Sequence, residues 1–470
     1  MRTSTKTLIS LAALATAMAF TPAAFAQDPT GAAPAPFTHA DGTPFTTDEK
    51  IELLQQELDT LKRQHDLDTE VATSAAAKTP TATLDKKGLN FTSADGKYQF
   101  GINAQVNVDA HSFGNDGGSL RDEVVDRLIR PTFSGRAGNA SFKITPELGG
   151  SSSASNSIVD AYVEYKFSDA VQLRAGKFKS PLGLERLQAD ADVIWTERGL
   201  STNLVPNRDV GYQVFGTLLP NVLEYQVGLF NGSQDGVNFN NDLDNHKDLA
   251  YRIFATPFAN TDIVALQGFG IGYAGSDGKH VGNATAGQTQ LPTYKSIGQQ
   301  TFFSYATGAF SSGKETRSNP QAWFYLNNFG LLADYVEVKQ DVKLGANATR
   351  LTNTGLDVSG SWILTGENAS FKGGVKPTHD FSLKDGTWGA FELTARYGYN
   401  DIDNDAFTGG YASLATSATK ATSTGLGVGW YLSENLKLLA DWDSTKFVGG
   451  AATGNRKTEN FASGRVQFRY

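Results

Sequence analysis

The sequence predicts an all-β protein: a sixteen-stranded antiparallel transmembrane β-barrel, preceded by a short coiled-coil helix. Three observations carry this. Segment after segment of residues 97–470 alternates apolar and polar side chains, the period of a strand with two unlike faces. Nowhere after the N-terminal leader does an apolar run reach the roughly 18 residues of a spanning helix, so a membrane could be crossed only by a closed barrel. The composition, with 49 Gly, 11% aromatic residues, two Met and no Cys, suits many short strands better than helices. Zero Cys also excludes disulfide frameworks and thiolate metal sites. A net charge of −8 argues against a nucleic-acid partner.

Residues 1–26 read as a secretory signal peptide. Arg2 and Lys6 form the charged start, residues 8–20 the apolar stretch, and Ala24-Phe25-Ala26 the cleavage site. Residues 27–96 read as a periplasmic linker. Pro, Ala, Thr and Gly dominate 27–46, a flexible tether. Thr46 and Glu49 then offer a capping box. Ile51, Leu54, Leu58 and Leu61 follow at a/d spacing, predicting a helix over 47–66. So short a helix is marginal alone, so its seam needs a partner. That partner is either its own barrel or, the reading preferred here, two further copies in a small periplasmic trimeric coiled coil. Residues 71–83 read as a second linker.

From Lys97 the period becomes two. Phe100, Ile102, Ala104, Val106, Val108 and Ala110 alternate with Gly101, Asn103, Gln105, Asn107, Asp109 and His111. Strands are expected near 97–111, 123–137, 140–149, 157–168, 170–178, 209–219, 222–231, 247–257, 262–275, 317–327, 330–340, 351–364, 387–401, 420–432, 435–448 and 457–470. An eligible seventeenth, 301–310, is left out because single-chain bacterial barrels have even strand counts. Short turns then fall on one side. Longer connections, at 179–208, 232–246, 276–316, 341–350, 402–419 and 449–456, fall on the other. Residues 365–386 are the exception, long but on the short-turn side. Sixteen strands imply a water-filled lumen. The last strand ends on Tyr470, an aromatic terminus common in bacterial outer-membrane barrels.

A long unpatterned insert with apolar content runs over 179–208. It carries Leu182, Leu184, Leu187, Val193, Ile194 and Trp195, too many for a disordered loop. It is expected to fold into the lumen and narrow the pore. Basic residues gather there: Lys179, Arg186, Arg198 and Arg208, with Arg174 and Lys177 just before. By alternation Arg130, Arg136, Lys143, Arg252, Arg396, Lys437, Arg465 and Arg469 also face inward. Guanidinium groups fork onto phosphate or carboxylate oxygens, so such a row favours anions. Asp109, Asp160, Glu164, Glu185, Asp190, Asp192, Glu197, Asp441 and Asp443 oppose them, as in non-selective pores. Lys177 and Lys179 fall on the lipid-side parity and reach the lumen only if the chain bulges near Gly176.

No catalytic or metal constellation is legible. The six His are scattered and no H-E-x-x-H, G-x-S-x-G or Walker A motif occurs; neither an enzyme, a metal nor a cofactor is expected. Gly268-x-Gly270-x-Gly272 and Gly425-x-Gly427-x-Gly429 read as close packing on one strand face rather than phosphate loops. A TonB-dependent transporter would need a folded plug domain, and residues before 97 do not supply one. An adhesin would rest on the loop 276–316.

The run from Leu173 through Gly176-Lys177-Phe178-Lys179-Ser180-Pro181-Leu182-Gly183-Leu184-Glu185-Arg186-Leu187-Gln188, then Trp195-Thr196-Glu197-Arg198-Gly199 and Asn203 to Gly211, resembles the phosphate-selective porin O and P family. So do residues 298–305 and 331–336. The resemblance implies a trimeric outer-membrane channel of a Gram-negative bacterium, embedded in outer-membrane lipid and lipopolysaccharide. Basic residues would lead small anions, phosphate or polyphosphate, to a constriction. Lys177, Lys179, Arg186, Arg198 and Arg208 stand at the matching motif positions, with Arg127 and Arg130 on the second strand. The alternative on the same barrel is a non-selective or sugar-type diffusion porin.

Overall fold

A computed structural model describes residues 39, 43–76, 79–85, 88–114, 120–150, 157–238 and 242–470. The leader predicted over 1–26 and most of the tether that follows lie outside them. The chain divides into two units, Met1–Ala77 and Lys78–Tyr470.

The first unit holds helix α1, Thr47–Ala76. It begins at a reciprocal capping box: the Thr46 amide donates to Glu49 Oε2 at 2.8 Å, and the Glu49 amide to Thr46 Oγ1 at 3.4 Å. It continues past the expected end at residue 66, through part of the stretch expected to be linker, because no Gly or Pro stands between 67 and 76 to stop it. Ile51, Leu54, Leu58 and Leu61 are 48%, 55%, 51% and 62% exposed.

In the second unit, sixteen antiparallel strands close a barrel among the described residues. They are β1 Tyr98–Gly114, β2 Glu123–Ala137, β3 Ala140–Glu147, β4 Ser157–Lys166, β5 Gln172–Phe178, β6 Asp209–Leu219, β7 Leu223–Phe230 and β8 Asp248–Ala255. There follow β9 Phe269–Val281, β10 Ala309–Leu326, β11 Phe329–Leu344, β12 Asn347–Ile363, β13 Ala390–Asp401, β14 Ala418–Tyr431, β15 Leu436–Ala451 and β16 Glu459–Arg469. Each pairs with its sequence neighbours, and β16 closes on β1 from Asn460↔Gly114 to Arg469↔Gln105. A hairpin that the sequence reading missed, Thr81–Asp85 with Gly88–Thr92, pairs with β1 at Gln99–Ile102. It covers the edge that β1 would otherwise leave open below the end of β16.

β8 shows why the strands sit in a membrane. Leu249, Tyr251 and Ile253 point outward and are 42%, 38% and 50% exposed, while Asp248, Arg252 and Phe254 are buried inside. That inside-out pattern is stable only where hydrocarbon wets the outer face.

Several connections differ from expectation. The ninth strand begins at Phe269 rather than 262, after a short 3-10 turn. The tenth begins at Ala309. Residues 345–346 form a tight turn at Gly345, φ 59°, not a long loop. Thr301–Phe303, within the segment excluded from the strand count, pairs with Tyr294–Lys295 in a small separate sheet.

A further difference concerns the lumen, part of which is filled by packed apolar side chains. Leu200, Leu204 and Val205 of the insert and Tyr294, Ile297, Phe302 and Phe303 of the connection 282–308 are almost fully buried. They meet inward Val336, Val338 and Val342 of β11, Leu351 of β12, Phe447 of β15 and Phe461 of β16 in one apolar cluster. The polarity of β11 reverses along its length. Leu331, Ala333 and Tyr335 face out low in the strand; Glu337, Lys339 and Asp341 face out higher, opposite buried Val336, Val338 and Val342. There the barrel has left the hydrocarbon and buries apolar side chains inside, at about 1.5–3 kcal/mol for each large one.

Candidate functional site

The insert leaves β5 at Lys179 and crosses the lumen to the far wall. The Gly183 amide donates to Asn319 Oδ1 of β10 at 2.8 Å, and the Leu184 amide to Asp334 Oδ2 of β11 at 2.9 Å. Trp195 Nε1 donates to Ser359 Oγ of β12 at 2.8 Å, and the Thr196 amide to Asp441 Oδ2 of β15 at 2.6 Å. Arg396 of β13 holds Asp443 through two bonds of 2.8 and 2.6 Å, donates to the Glu197 carbonyl at 2.6 Å, and lies 4.3 Å from the Trp195 ring. The glycine row on β14 makes room. A Cβ on Gly425 would strike Asp443 Oδ1 at 2.2 Å, and one on Gly427 would strike Asp441 Oδ1 at 2.4 Å and approach Trp195 at 3.1 Å.

A second segment enters from the short-turn side, and it is the long connection 365–386. Its Phe371 ring lies 4.5 Å from Trp323, which lies 4.1 Å from Phe254. On β9, Gly270 and Gly272 leave space for Trp323 and Phe254, each of which a Cβ would strike at 2.3 Å. Gln188 Nε2 donates to the Phe371 carbonyl at 3.0 Å, and the Gly373 amide to Asp192 Oδ2 at 2.8 Å. The two intruding segments therefore brace each other. Phe371→Ala is expected to remove about 3–5 kcal/mol of local packing and to free 365–386. Faster proteolytic cleavage there, with the barrel intact, is the check; an unchanged rate would mean that the hydrogen bonds alone hold it.

Two cavities open against β1–β8 among the described residues. The lower, about 430 Å³, presents Arg130, Lys143, Arg174, Lys179, Arg208, Arg252 and Lys372 against Asp160, Asp190 and Glu224. The upper, about 440 Å³, presents Arg127, Arg130, Arg186, Arg198, Arg208, Lys295 and Arg465 against Glu147, Asp190, Glu197 and Asp235. Twelve cationic side chains thus line the two against six carboxylates, although the chain as a whole carries −8. Arg130, Asp190 and Arg208 line both cavities and mark where they meet.

At that junction Asp190 Oδ1 lies 2.7 Å from Arg198, and its Oδ2 contacts Arg130 and lies 3.4 Å from Arg208. Burial would raise the Asp190 carboxyl, but Arg198, Lys179, Arg130 and Arg208 outweigh it and hold the group well below the usual carboxylate range. Burial pushes the Lys179 ammonium well below its ordinary value, against the pull of Asp190; its Nζ donates to the Gln188 carbonyl at 2.7 Å. Burial also lowers Arg186, to about 9, which leaves it charged at neutral pH. Arg186 donates to the Thr202 carbonyl at 2.8 Å while its Nε has no partner among the described residues. Arg127 pairs with Glu197 at 2.5 Å. Arg252 donates to Gln321 at 2.9 Å over the Phe254 ring, with no carboxylate within ion-pair distance among the described residues.

The sequence-predicted residues divide accordingly. Lys179, Arg130, Arg208 and Arg252 line the lower cavity, and Arg127, Arg130, Arg186, Arg198 and Arg208 the upper. Lys177 and Arg136 line neither. β5 keeps its register against β6 through Phe178, so no bulge turns Lys177 inward; its ammonium reaches the Ile158 carbonyl at 2.8 Å. Arg136 sits at the rim, 3.3 Å from the Gly96 carbonyl. Lys295 and Lys372 are cavity residues that strand alternation could not reveal, because both lie in connections outside the barrel wall.

A closed barrel of sixteen strands, apolar outside and charged within, defines an outer-membrane channel of the porin class. The chain belongs to the family described as phosphate-selective porin O and P, whose model matches residues 97–470. It therefore resides in the outer membrane of a Gram-negative bacterium, crossing it with many strands. The outer membrane channel DcaP of Acinetobacter baumannii is 12% identical with a TM-score of 0.52, covering 83% of this chain and 100% of its own. OmpF of Salmonella typhi, in complex with daunomycin, is 11% identical with a TM-score of 0.50 and the same coverage. An anion-selective porin from Comamonas acidovorans is 11% identical over 79% of this chain and 100% of its own, TM-score 0.49. No curated protein matches the chain.

Proposed function

We propose that this porin passes small anions, phosphate or polyphosphate foremost, through a basic constriction formed by residues 179–208 against β2 and β8. The observation that carries the reading is the excess of twelve cationic side chains over six carboxylates along the cavities of an acidic chain. A narrow, low-dielectric passage focuses such an excess and concentrates counter-ions. The family's name supports the same choice of solute. We further propose a homotrimer, with α1 closing its Ile51, Leu54, Leu58 and Leu61 seam against two other copies.

The test is the reversal potential across a planar bilayer under a KCl gradient. The expected sign is that of chloride permeation, weakened in Lys179→Glu and Arg198→Glu. Cation selectivity unaltered by phosphate or by either substitution would overturn the reading. An anion-neutral current that millimolar phosphate leaves unblocked would assign the barrel to non-selective or sugar-type diffusion, which the pairing of Arg130, Arg198 and Arg208 with carboxylates favours.

A further inference from the structure

We infer that Asp190 is a built-in competitor: its carboxylate occupies the seat of a translocating oxyanion, and the solute must displace it to pass. This rests on the anion reading above. The seat is the space among Arg130, Arg198 and Arg208, where both cavities meet and where the Asp190 carboxylate already receives all three guanidinium groups.

Two features make the carboxylate displaceable and the seat durable. The backbone around it is pinned. Lys437 Nζ donates to the carbonyls of Ala191 and Val193 at 3.0 and 2.8 Å, Gln467 Nε2 to Ala191 at 2.9 Å, and the Asp192 amide to Ala189 at 2.9 Å. Only the short Asp190 side chain, 13% exposed, is left to rotate. Each guanidinium also keeps another acceptor when Asp190 leaves. Arg130 holds Glu147 at 2.6 Å, Arg208 holds Asp160 at 3.0 Å, and Arg198 holds the carbonyls of Gln188 and Glu185 at 3.0 and 3.2 Å. The three forks therefore stay aimed at one point with or without their internal partner, the preorganisation an anion site requires.

The consequence is a preference and a rate. A solute that displaces a singly charged carboxylate gains most if it carries two charges and several oxygens for the forks, as hydrogenphosphate does. Chloride, spherical and singly charged, gains little. A competitor tethered at the site also keeps a tightly attracted dianion from being trapped there, since conduction needs binding weak enough to let the ion leave.

The experiment measures block of the chloride current by inorganic phosphate in purified full-length channels. In Asp190→Asn, which keeps the shape and loses the charge, the half-blocking phosphate concentration should fall by at least about tenfold, the scale of one lost charge contact in a part-buried site. Asp190→Glu, which retains the competitor, should block near the wild-type concentration. Glu224→Gln removes a cavity carboxylate paired with Lys372 at 3.7 Å, away from the seat, and should shift block far less. Unchanged block in Asp190→Asn, or equal tightening in Glu224→Gln, overturns the inference while an anion-selective reversal potential leaves the channel reading standing. A cation-selective wild type overturns both.

Discussion

Arg396→Ala is expected to detach the insert from the far wall and to cost the barrel much of its stability. Arg396 and Asp443 are 3% and 0% exposed at their side chains. Removing one partner of such a buried pair costs about 3–5 kcal/mol, because the other charge is left uncompensated. Arg396 also holds the Glu197 carbonyl and faces the Trp195 ring, so the cost falls on the insert as well as on β13 and β15. The folded band in detergent should convert to the unfolded form at a markedly lower temperature, and open-channel noise should rise. Arg396→Lys should rescue little, since an ammonium cannot reproduce the two-pronged contact or stack as a guanidinium does. The double variant Arg396→Ala with Asp443→Ala should be less damaging than the sum of the singles, because no charge is stranded. Additivity within about 0.5 kcal/mol would mean that the pair is not coupled as its geometry demands.

The wall of this protein was legible because lipid enforces a rule on every strand. Leu249, Tyr251 and Ile253 must face hydrocarbon, so their neighbours must face the lumen, and the period of two survives in the sequence. The lumen obeys no such rule. Val336, Val338 and Val342 alternate with Glu337, Lys339 and Asp341 as regularly as any lipid-facing run. Only their polar partners betray that this part of β11 stands clear of the bilayer and turns its apolar side inward. The same ambiguity hid the packing of Phe302 and Phe303, whose ring partners Phe447 and Phe407 lie far away in sequence. The insert itself was legible as a lumen candidate from its cations and apolar residues together. Which cations would line the cavities was not, since that depends on where the backbone leaves the wall. Lys177 is the last but one residue of β5 and keeps the outward parity; Lys179, two residues on, has left the strand and joins the cavity. The role of 365–386 was likewise invisible, because Phe371 finds Trp323 through tertiary contact alone.

Leu204→Asp is expected to widen the pore. Leu204 and Val205 are fully buried at the end of the short 3-10 helix Leu200–Leu204, where the insert enters the apolar cluster. A carboxylate there has no cation to meet among its apolar neighbours, and burying it unpaired costs several kcal/mol. The barrel wall need not pay that penalty. Its ladders and its lipid-facing side chains do not involve Leu204, so the cheaper response is for the insert to leave the cluster and admit water into the space now packed. Single-channel conductance should rise several-fold. Anion preference should fall at the same time, because Arg186 and Arg198 move with the insert and no longer face a narrow passage. Leu204→Ala, which leaves only a cavity, should cost about 2–5 kcal/mol and change conductance little. A Leu204→Asp channel that folds and conducts like the wild type would mean that the apolar cluster does not hold the insert in place, and that the constriction is kept by the hydrogen bonds of Gly183, Leu184, Trp195 and Thr196 alone.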